Sequence, residues 1–140
     1  MIRDEYMLEQ LLSTIREFVK NELVPMEHEV EENNAIPQHI VDQMKALGLF
    51  GLTIPEEYGG LGITMEEEIH VALALGQTSA AFRSLIGTNN GIGSSGIIID
   101  GTEAQKQKYL PRYASGEIIG SFWLTEPDSG PDAASLKTTA

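Results

Sequence analysis

Cysteine is absent from the 140 residues, which excludes disulfides and zinc sites built on thiolates. Basic residues are scarce: nine Lys and Arg face 21 Asp and Glu, and the formal net charge is −12. Nucleic acids and anionic membranes both attract basic surfaces, so this balance argues against either as a partner. An anionic ligand stays open, because backbone N–H groups at helix ends bind phosphates without net positive charge.

Long apolar runs are also missing, and the charged N-terminus lacks the apolar stretch of a secretion signal. We therefore expect a soluble intracellular protein, cytoplasmic in location. Apolar residues make up 41% of the chain, which is ordinary for a globular protein. A chain of this length can form one domain that buries roughly two-thirds of its unfolded surface.

Helical patterns dominate residues 1–116 and predict an all-α fold there. Apolar side chains recur at helical spacing over residues 4–23, and Pro25 is expected to end that helix. The acidic stretch 27–34 is expected to be a loop or a solvated face. A shorter helix is predicted over 38–47, with Gly48 as its left-handed stop.

Two capping boxes predict the starts of later helices. Thr64 with Glu67 opens a long apolar helix that is expected to reach about residue 86. Thr102 with Gln105 opens another, which extends to about Ala114 and stops at Gly116. Residues 88–100, between these two helices, form a further apolar, glycine-rich stretch, and 49–62 are expected to be an irregular connector.

The pattern changes after residue 116. Residues 117–125 are β-branched and aromatic without helical periodicity, which predicts a strand. A lone strand is unstable in water, and the sequence shows no partner for it. Either the strand opens a β domain, or another chain supplies the pairing. The first interpretation divides the chain into a helical domain, 1–116, and the first part of a β domain, 117–140.

Two motifs resemble known sites but fit ordinary structural roles better. Gly91 to Gly96 matches G-x-G-x-x-G, yet helical residues precede it, whereas a dinucleotide site needs a strand there. Its glycines are better explained by close helix packing. Glu67 and His70 have the spacing of a di-iron ligand pair, but such a pair occurs only once. No metal site and no catalytic base are predicted.

The stretch "FWLTEPDSGPD", residues 122–132, combines an apolar run with a polar turn. Asp128-Ser129-Gly130 can expose backbone N–H groups to a pyrophosphate. The neighbouring apolar side chains could support a flat ring, and Thr125 could donate a hydrogen bond to the ring edge. On spacing alone, an ordinary strand-turn corner is the favoured interpretation.

This stretch resembles the flavin-binding signature of the acyl-CoA dehydrogenases. The resemblance extends to "IPEEYGGLG", residues 54–62, and to "GIIIDGTEAQKQKYLPRYASGE", residues 96–117. It implies the N-terminal helical domain of such an enzyme, followed by the start of its middle β domain. It also implies α,β-dehydrogenation of an acyl-CoA with hydride transfer to FAD, an electron-transfer flavoprotein as partner, and a tetramer at full length. The family's catalytic glutamate lies in a later domain, so we expect no catalysis by this chain alone.

The resemblance also assigns binding residues by position. It places Phe122, Leu124 and Thr125 against the flavin ring, and Gly130 and Pro131 near the cofactor phosphates. Pro131 stands where the family usually has Ser, so one polar contact to the cofactor or thioester is lost or replaced.

The resemblance also implies which residues line the pocket for the acyl group of the substrate: Thr88, Ile92, Ser95 and Pro131. Two alternatives stay open: a flavin oxidase or monooxygenase of the same fold, and a helical module that docks onto a partner.

Overall fold

Helices make up most of the first 116 residues. The computed structural model describes residues 2–139. Its α-helices are α1 Glu5–Phe18, α2 Val24–Asn33, α3 Gln38–Ala46, α4 Met65–Leu75, α5 Ala80–Asn90, α6 Ile92–Asp100 and α7 Glu103–Ala114. No strand occurs within the described range, and the predicted all-α fold is confirmed.

Helices α1 and α2 are joined by a π-helical turn, Val19–Leu23, so the helical backbone continues past Pro25. The prediction that Pro25 ends the helix was wrong. Pro25 directly follows the π-helical turn, in the first turn of α2, and the helical backbone continues through it. The acidic side chains of α2 are largely exposed, as a solvated face requires. The helix ends at Asn34, whose φ of 50° is left-handed.

The long helix predicted from Thr64 to about residue 86 is two helices, α4 and α5. Thr78 leaves the helical path, and its hydroxyl donates a hydrogen bond to Glu27 of α2 over 2.8 Å. Ser79 then caps α5 by accepting from the N–H of Ala81. Helix α4 has already ended at Leu75, with Gly76 as its C-cap, and these side-chain hydrogen bonds lie in the turn between the two helices.

Both predicted capping boxes are present. Thr64 and Glu67 exchange side-chain and backbone hydrogen bonds at the start of α4, and Thr102 and Gln105 do so at α7. Gly116 follows α7 with φ of 70°, a left-handed conformation that favours glycine.

The connector between α3 and α4 folds back on itself. It contains two 3-10 turns, Leu49–Gly51 and Glu56–Tyr58. The N–H groups of residues 61–63 donate to carbonyls of residues 51–54 over 2.8–2.9 Å. A Cβ on Gly60 would lie 2.0 Å from the carbonyl oxygen of Ile54, so only glycine permits this close approach. The connector is therefore irregular, as predicted, but tightly packed.

A main hydrophobic core lies between α1, α3, α4, α5 and the connector. Its fully buried side chains include Ile15, Leu23, Ile40, Met44, Leu49, Phe50 and Phe82. A smaller cluster under α7 contains Ile54, Tyr58, Leu110 and Ala114. Residues 2–139 include no helix of the length and apolar character needed to cross a bilayer.

The strand predicted for residues 117–125 is not formed. Residues 119–125 are irregular, and an isolated bridge joins Glu126 to Ser129 just beyond them. A strand is defined by pairing, and no other described segment offers an edge to pair with. The division into 1–116 and 117–140 stays a prediction.

Candidate functional site

The segment from Phe122 to Thr125 leaves the helical domain with its side chains open to solvent. Phe122 is 50% exposed, Leu124 38% and Trp123 94%. Thr125 is exposed as well. Three large apolar side chains in succession are costly to leave in water, so the segment presents apolar surface available for burial against a ligand or another part of a protein.

A compact turn follows this apolar segment. The N–H of Glu126 donates to the carbonyl of Ser129 over 3.0 Å, and the reverse bond measures 3.2 Å. Ser129 is buried, and its hydroxyl donates to the carbonyl of Asp132 over 2.5 Å. Gly130 and Pro131 remain exposed at the tip, and no atom lies within 4 Å of the place where a Gly130 Cβ would stand. These hydrogen bonds thus fix the conformation of the turn, and Gly130 and Pro131 stay accessible at its tip.

The carboxylate of Glu126 holds the end of this turn. It accepts hydrogen bonds from the backbone N–H of Lys137, over 2.9 Å, and of Thr138, over 2.8 Å. The hydroxyl of Thr138 donates to it too. That hydroxyl, followed by the two N–H groups, lowers the pKa of Glu126 below its usual 4.5. A carboxylate held in this way is a structural acceptor and a poor general base.

The predicted acyl-pocket residues lie where α5 meets α6. Thr88 belongs to α5 and is half-buried, while Ile92 and Ser95 belong to α6. Ile92 is 56% exposed, and the Ser95 hydroxyl donates to the carbonyl of Gly91 over 2.7 Å. A Cβ on Gly93 would lie 2.7 Å from the Thr88 carbonyl oxygen. This close helix contact agrees with the packing role inferred for the glycine motif.

The structure connects the two halves of the predicted site through Asn89, which sequence reasoning missed. Asn89 follows Thr88 in α5, and its side-chain oxygen accepts from the N–H of Gly120 over 2.8 Å, two residues before Phe122. Among residues 2–139, no hydrogen bond joins the turn 127–131 to Thr88, Ile92 or Ser95. A signal was available in the sequence: two consecutive asparagines inside an apolar helix need partners when buried.

Glu67 and His70, which have the spacing of a ligand pair, lie in different surroundings. Glu67 is buried in the capping box of α4, whereas His70 is exposed. In the described part of the chain, no group of three or more His, Asp or Glu side chains could hold a metal ion.

Fold and site together define a helical domain that is followed by an exposed apolar segment and a polar turn. The comparisons with known proteins identify it further. The model of the family described as "Acyl-CoA dehydrogenase, N-terminal domain" matches residues 7–117. The chain belongs to the acyl-CoA dehydrogenase family.

Individual relatives agree with this family. An acyl-CoA dehydrogenase of Bacillus subtilis (strain 168) is 37% identical over 90% of this chain and 33% of its own length. The crystal structure of an acyl-CoA dehydrogenase complexed with FAD from Bacillus anthracis superposes with a TM-score of 0.79, at 33% identity, over 96% of this chain and 23% of that one.

A third structure is described as an electron transferring flavoprotein of Acidaminococcus fermentans, in work on flavin-based electron bifurcation. It gives a TM-score of 0.84 at 32% identity and covers 94% of this chain and 35% of that chain. The chain therefore spans about a third or less of the length of these relatives.

Proposed function

We propose that this chain forms the N-terminal part of an FAD-dependent acyl-CoA dehydrogenase, with acyl-CoA thioesters as substrates and an electron-transfer flavoprotein as electron acceptor. The observation that carries the proposal is the segment 122–132. This segment resembles the family's flavin-binding signature, and it lies exposed directly after residues 7–117, which match the family's N-terminal domain. The proposed activity is the removal of hydrogen from the α and β carbons of the acyl group.

The exposed residues suit the proposed cofactor. Phe122 and Leu124 offer half-exposed apolar surface for a flat ring, and the free hydroxyl of Thr125 can donate to the polar ring edge. Gly130 leaves room for a phosphate to approach the backbone. Pro131 contributes no N–H and no hydroxyl, so the neighbouring backbone must supply the contacts. FAD, when bound, supplies the acceptor of the substrate hydride.

The chain's own part in this function is binding and orientation. Its most perturbed carboxylates, Glu67 and Glu126, are both held by backbone N–H groups. Neither is free to take a proton from a substrate. We therefore propose that residues 1–140 bind cofactor and acyl group without supplying the base, and that the isolated chain does not turn over acyl-CoA. Sustained turnover by the purified chain would contradict this.

A chimera tests the proposal. Residues 1–140 replace the matching N-terminal third of the Bacillus subtilis relative, which then supplies the remaining two-thirds. The chimera is expected to purify with bound FAD and to reduce an electron-acceptor dye when acyl-CoA is added. A folded chimera that retains no FAD would count against the proposal. Faster reduction of oxygen than of the dye would instead indicate a flavin oxidase.

A matched pair of variants locates the flavin contact. In the chimera, Thr125→Val removes the hydroxyl and keeps the side-chain shape, and FAD affinity should fall about tenfold or less, the effect of one hydrogen bond. Thr14→Val makes the same change on α1, where the hydroxyl donates to the carbonyl of Gln10. It should leave FAD affinity unchanged. Equal effects from both substitutions would exclude a specific role for Thr125.

Thr88 tests the acyl side. If Thr88 lines the acyl pocket, then in the chimera Thr88→Leu fills space and should penalise larger acyl-CoA substrates more than small ones. Comparing kcat/KM across acyl lengths measures this effect. Unchanged selectivity would remove Thr88 from the proposed pocket.

A further inference from the structure

The side chain of Asn89 is fully buried, and its donors and its oxygen are all engaged with backbone. Its Nδ2 donates to the carbonyl of Tyr113 over 3.1 Å and to the carbonyl of Ile118 over 2.9 Å. Its Oδ1 accepts from the N–H of Gly120 over 2.8 Å. The Asn89 side chain thus forms hydrogen bonds from α5 to the end of α7 and to both ends of residues 118–120.

A second contact supports the same short stretch. A Cβ on Gly120 would lie 2.7 Å from Cε1 of the Tyr113 ring, so the backbone at Gly120 packs directly on that ring. The remaining backbone hydrogen bond nearby runs from the N–H of Ile118 to the carbonyl of Arg112, over 3.2 Å. Beyond Gly120, residues 121–125 form no backbone hydrogen bond with the helical domain. Gly120 is therefore the last anchored point before Phe122.

Asn90, the next residue, provides a comparison. It is also buried, and its Nδ2 donates to the carbonyls of Leu49, over 2.7 Å, and Ile86, over 3.1 Å. Its Oδ1 accepts from the N–H of Thr53 over 3.4 Å. Asn90 thus makes the same kinds of hydrogen bonds as Asn89. Its partners include the connector between α3 and α4, and not the residues that precede the apolar segment.

We propose that Asn89 is a positioning residue: it fixes the point at which Phe122–Thr125 leaves the helical domain and so aligns the flavin-facing segment with Thr88 on the same helix. The flavin part of this inference rests on the proposed function. The anchoring part rests on the three hydrogen bonds and on the packing of Gly120 against Tyr113. Because Asn89 and Thr88 are adjacent in α5, a shift of the anchor would move the ring-binding residues relative to the acyl pocket.

The single tryptophan, Trp123, reports on this segment directly. In the 140-residue chain we would compare Asn89→Ala with Asn90→Ala by time-resolved anisotropy of Trp123 and by amide exchange at Gly120. Asn89→Ala should speed Gly120 exchange about tenfold or more, since the N–H loses its acceptor, and should increase local Trp123 motion. Asn90→Ala should lower global stability without either change.

Gly120→Ala is the second variant, in case Asn89→Ala does not fold. It keeps Asn89 and forces the segment away from Tyr113, so Trp123 motion should increase again. Gly96→Ala is its control, because nothing lies within 4 Å of the added Cβ. Unchanged Trp123 motion in Asn89→Ala and Gly120→Ala, or an equal increase in Asn90→Ala, would overturn the anchoring role.

FAD titration separates this inference from the proposed function. In the chimera, Asn89→Ala should weaken FAD binding about tenfold, and Asn90→Ala should not. A parent chimera that binds no FAD would refute the cofactor proposal while leaving the Trp123 result intact. If Asn89→Ala increases Trp123 motion but leaves FAD affinity at the wild-type value, the link between anchoring and flavin binding would be refuted.

Discussion

Substitution of Glu67 by Gln tests how the N-terminus is attached to α4. The carboxylate of Glu67 is 4% exposed and accepts from the N–H of Thr64 over 2.7 Å and from the N–H of Arg3 over 2.9 Å. The Arg3 guanidinium lies 3.7 Å away. The two backbone hydrogen bonds, Thr64 first, lower the pKa of Glu67 from 4.5 to about 2.

The size of the effect follows from that pKa. A decrease from 4.5 to about 2 corresponds to at most about 3 kcal/mol of stabilisation of the folded chain. Arg3, which supplies one of the two backbone N–H groups, is exposed, so water competes for part of the interaction, and about 1–2 kcal/mol remains. In Glu67→Gln, one of the two backbone donors would face the new NH₂ group. We expect a loss of about 1–2 kcal/mol at pH 7, or about 3–6 °C in Tm.

The sign of the pH dependence follows from the same shift. Because the folded pKa is below the unfolded one, the carboxylate contributes its full stabilisation above pH 4.5. That contribution disappears as the pH falls from 4.5 to about 2. The stability difference between wild type and Glu67→Gln should therefore be constant at neutral pH and shrink across this range.

Urea unfolding followed by circular dichroism, repeated from pH 7 to pH 2, measures this difference. Glu68→Gln is the matched control: it removes one charge from the same helical turn and leaves the capping box intact. A stability difference that does not shrink on acidification, or an equal loss in Glu68→Gln, would refute the assigned role of Glu67.

Thermal unfolding tests the remaining predictions. Gly96→Ala should stabilise α6 by about 1 kcal/mol, because alanine favours the helix and its Cβ meets nothing within 4 Å. Gly93→Ala, in the same helix, should cost about 1–3 kcal/mol, since its Cβ would lie 2.7 Å from a carbonyl of α5; a gain would contradict the packing role. Gly116→Ala should cost about 2 kcal/mol, because φ is +70° and the Cβ would lie 2.9 Å from Phe50. Thr102→Ala should cost about 1 kcal/mol through loss of the capping box; an unchanged Tm would show that the box is dispensable.

Local chemistry determined which parts of the chain are helical. Thr64 and Thr102 carry their capping partners three residues later, so both helix starts were readable from the sequence. Gly116 marked a stop because glycine adopts a left-handed conformation without steric cost. The resemblance of residues 122–132 to a flavin-binding signature could also be read from the sequence, because it depends on consecutive residues.

Two helix boundaries could not be read from the sequence. Pro25 did not end the helix: a π-helical turn directly precedes it, and the helical backbone continues into α2. The break between α4 and α5 was not predicted either; there Thr78 bonds to Glu27 of α2, 51 residues earlier in the chain.

The site depended on tertiary structure most of all. The strand expected at 117–125 did not form, because strand pairing needs a partner edge and the described residues offer none. Asn89 could be recognised as the anchor of that segment only when residues 113, 118 and 120 were seen around it. A sequence specifies the hydrogen-bonding groups that each residue brings, but the fold determines which of them meet.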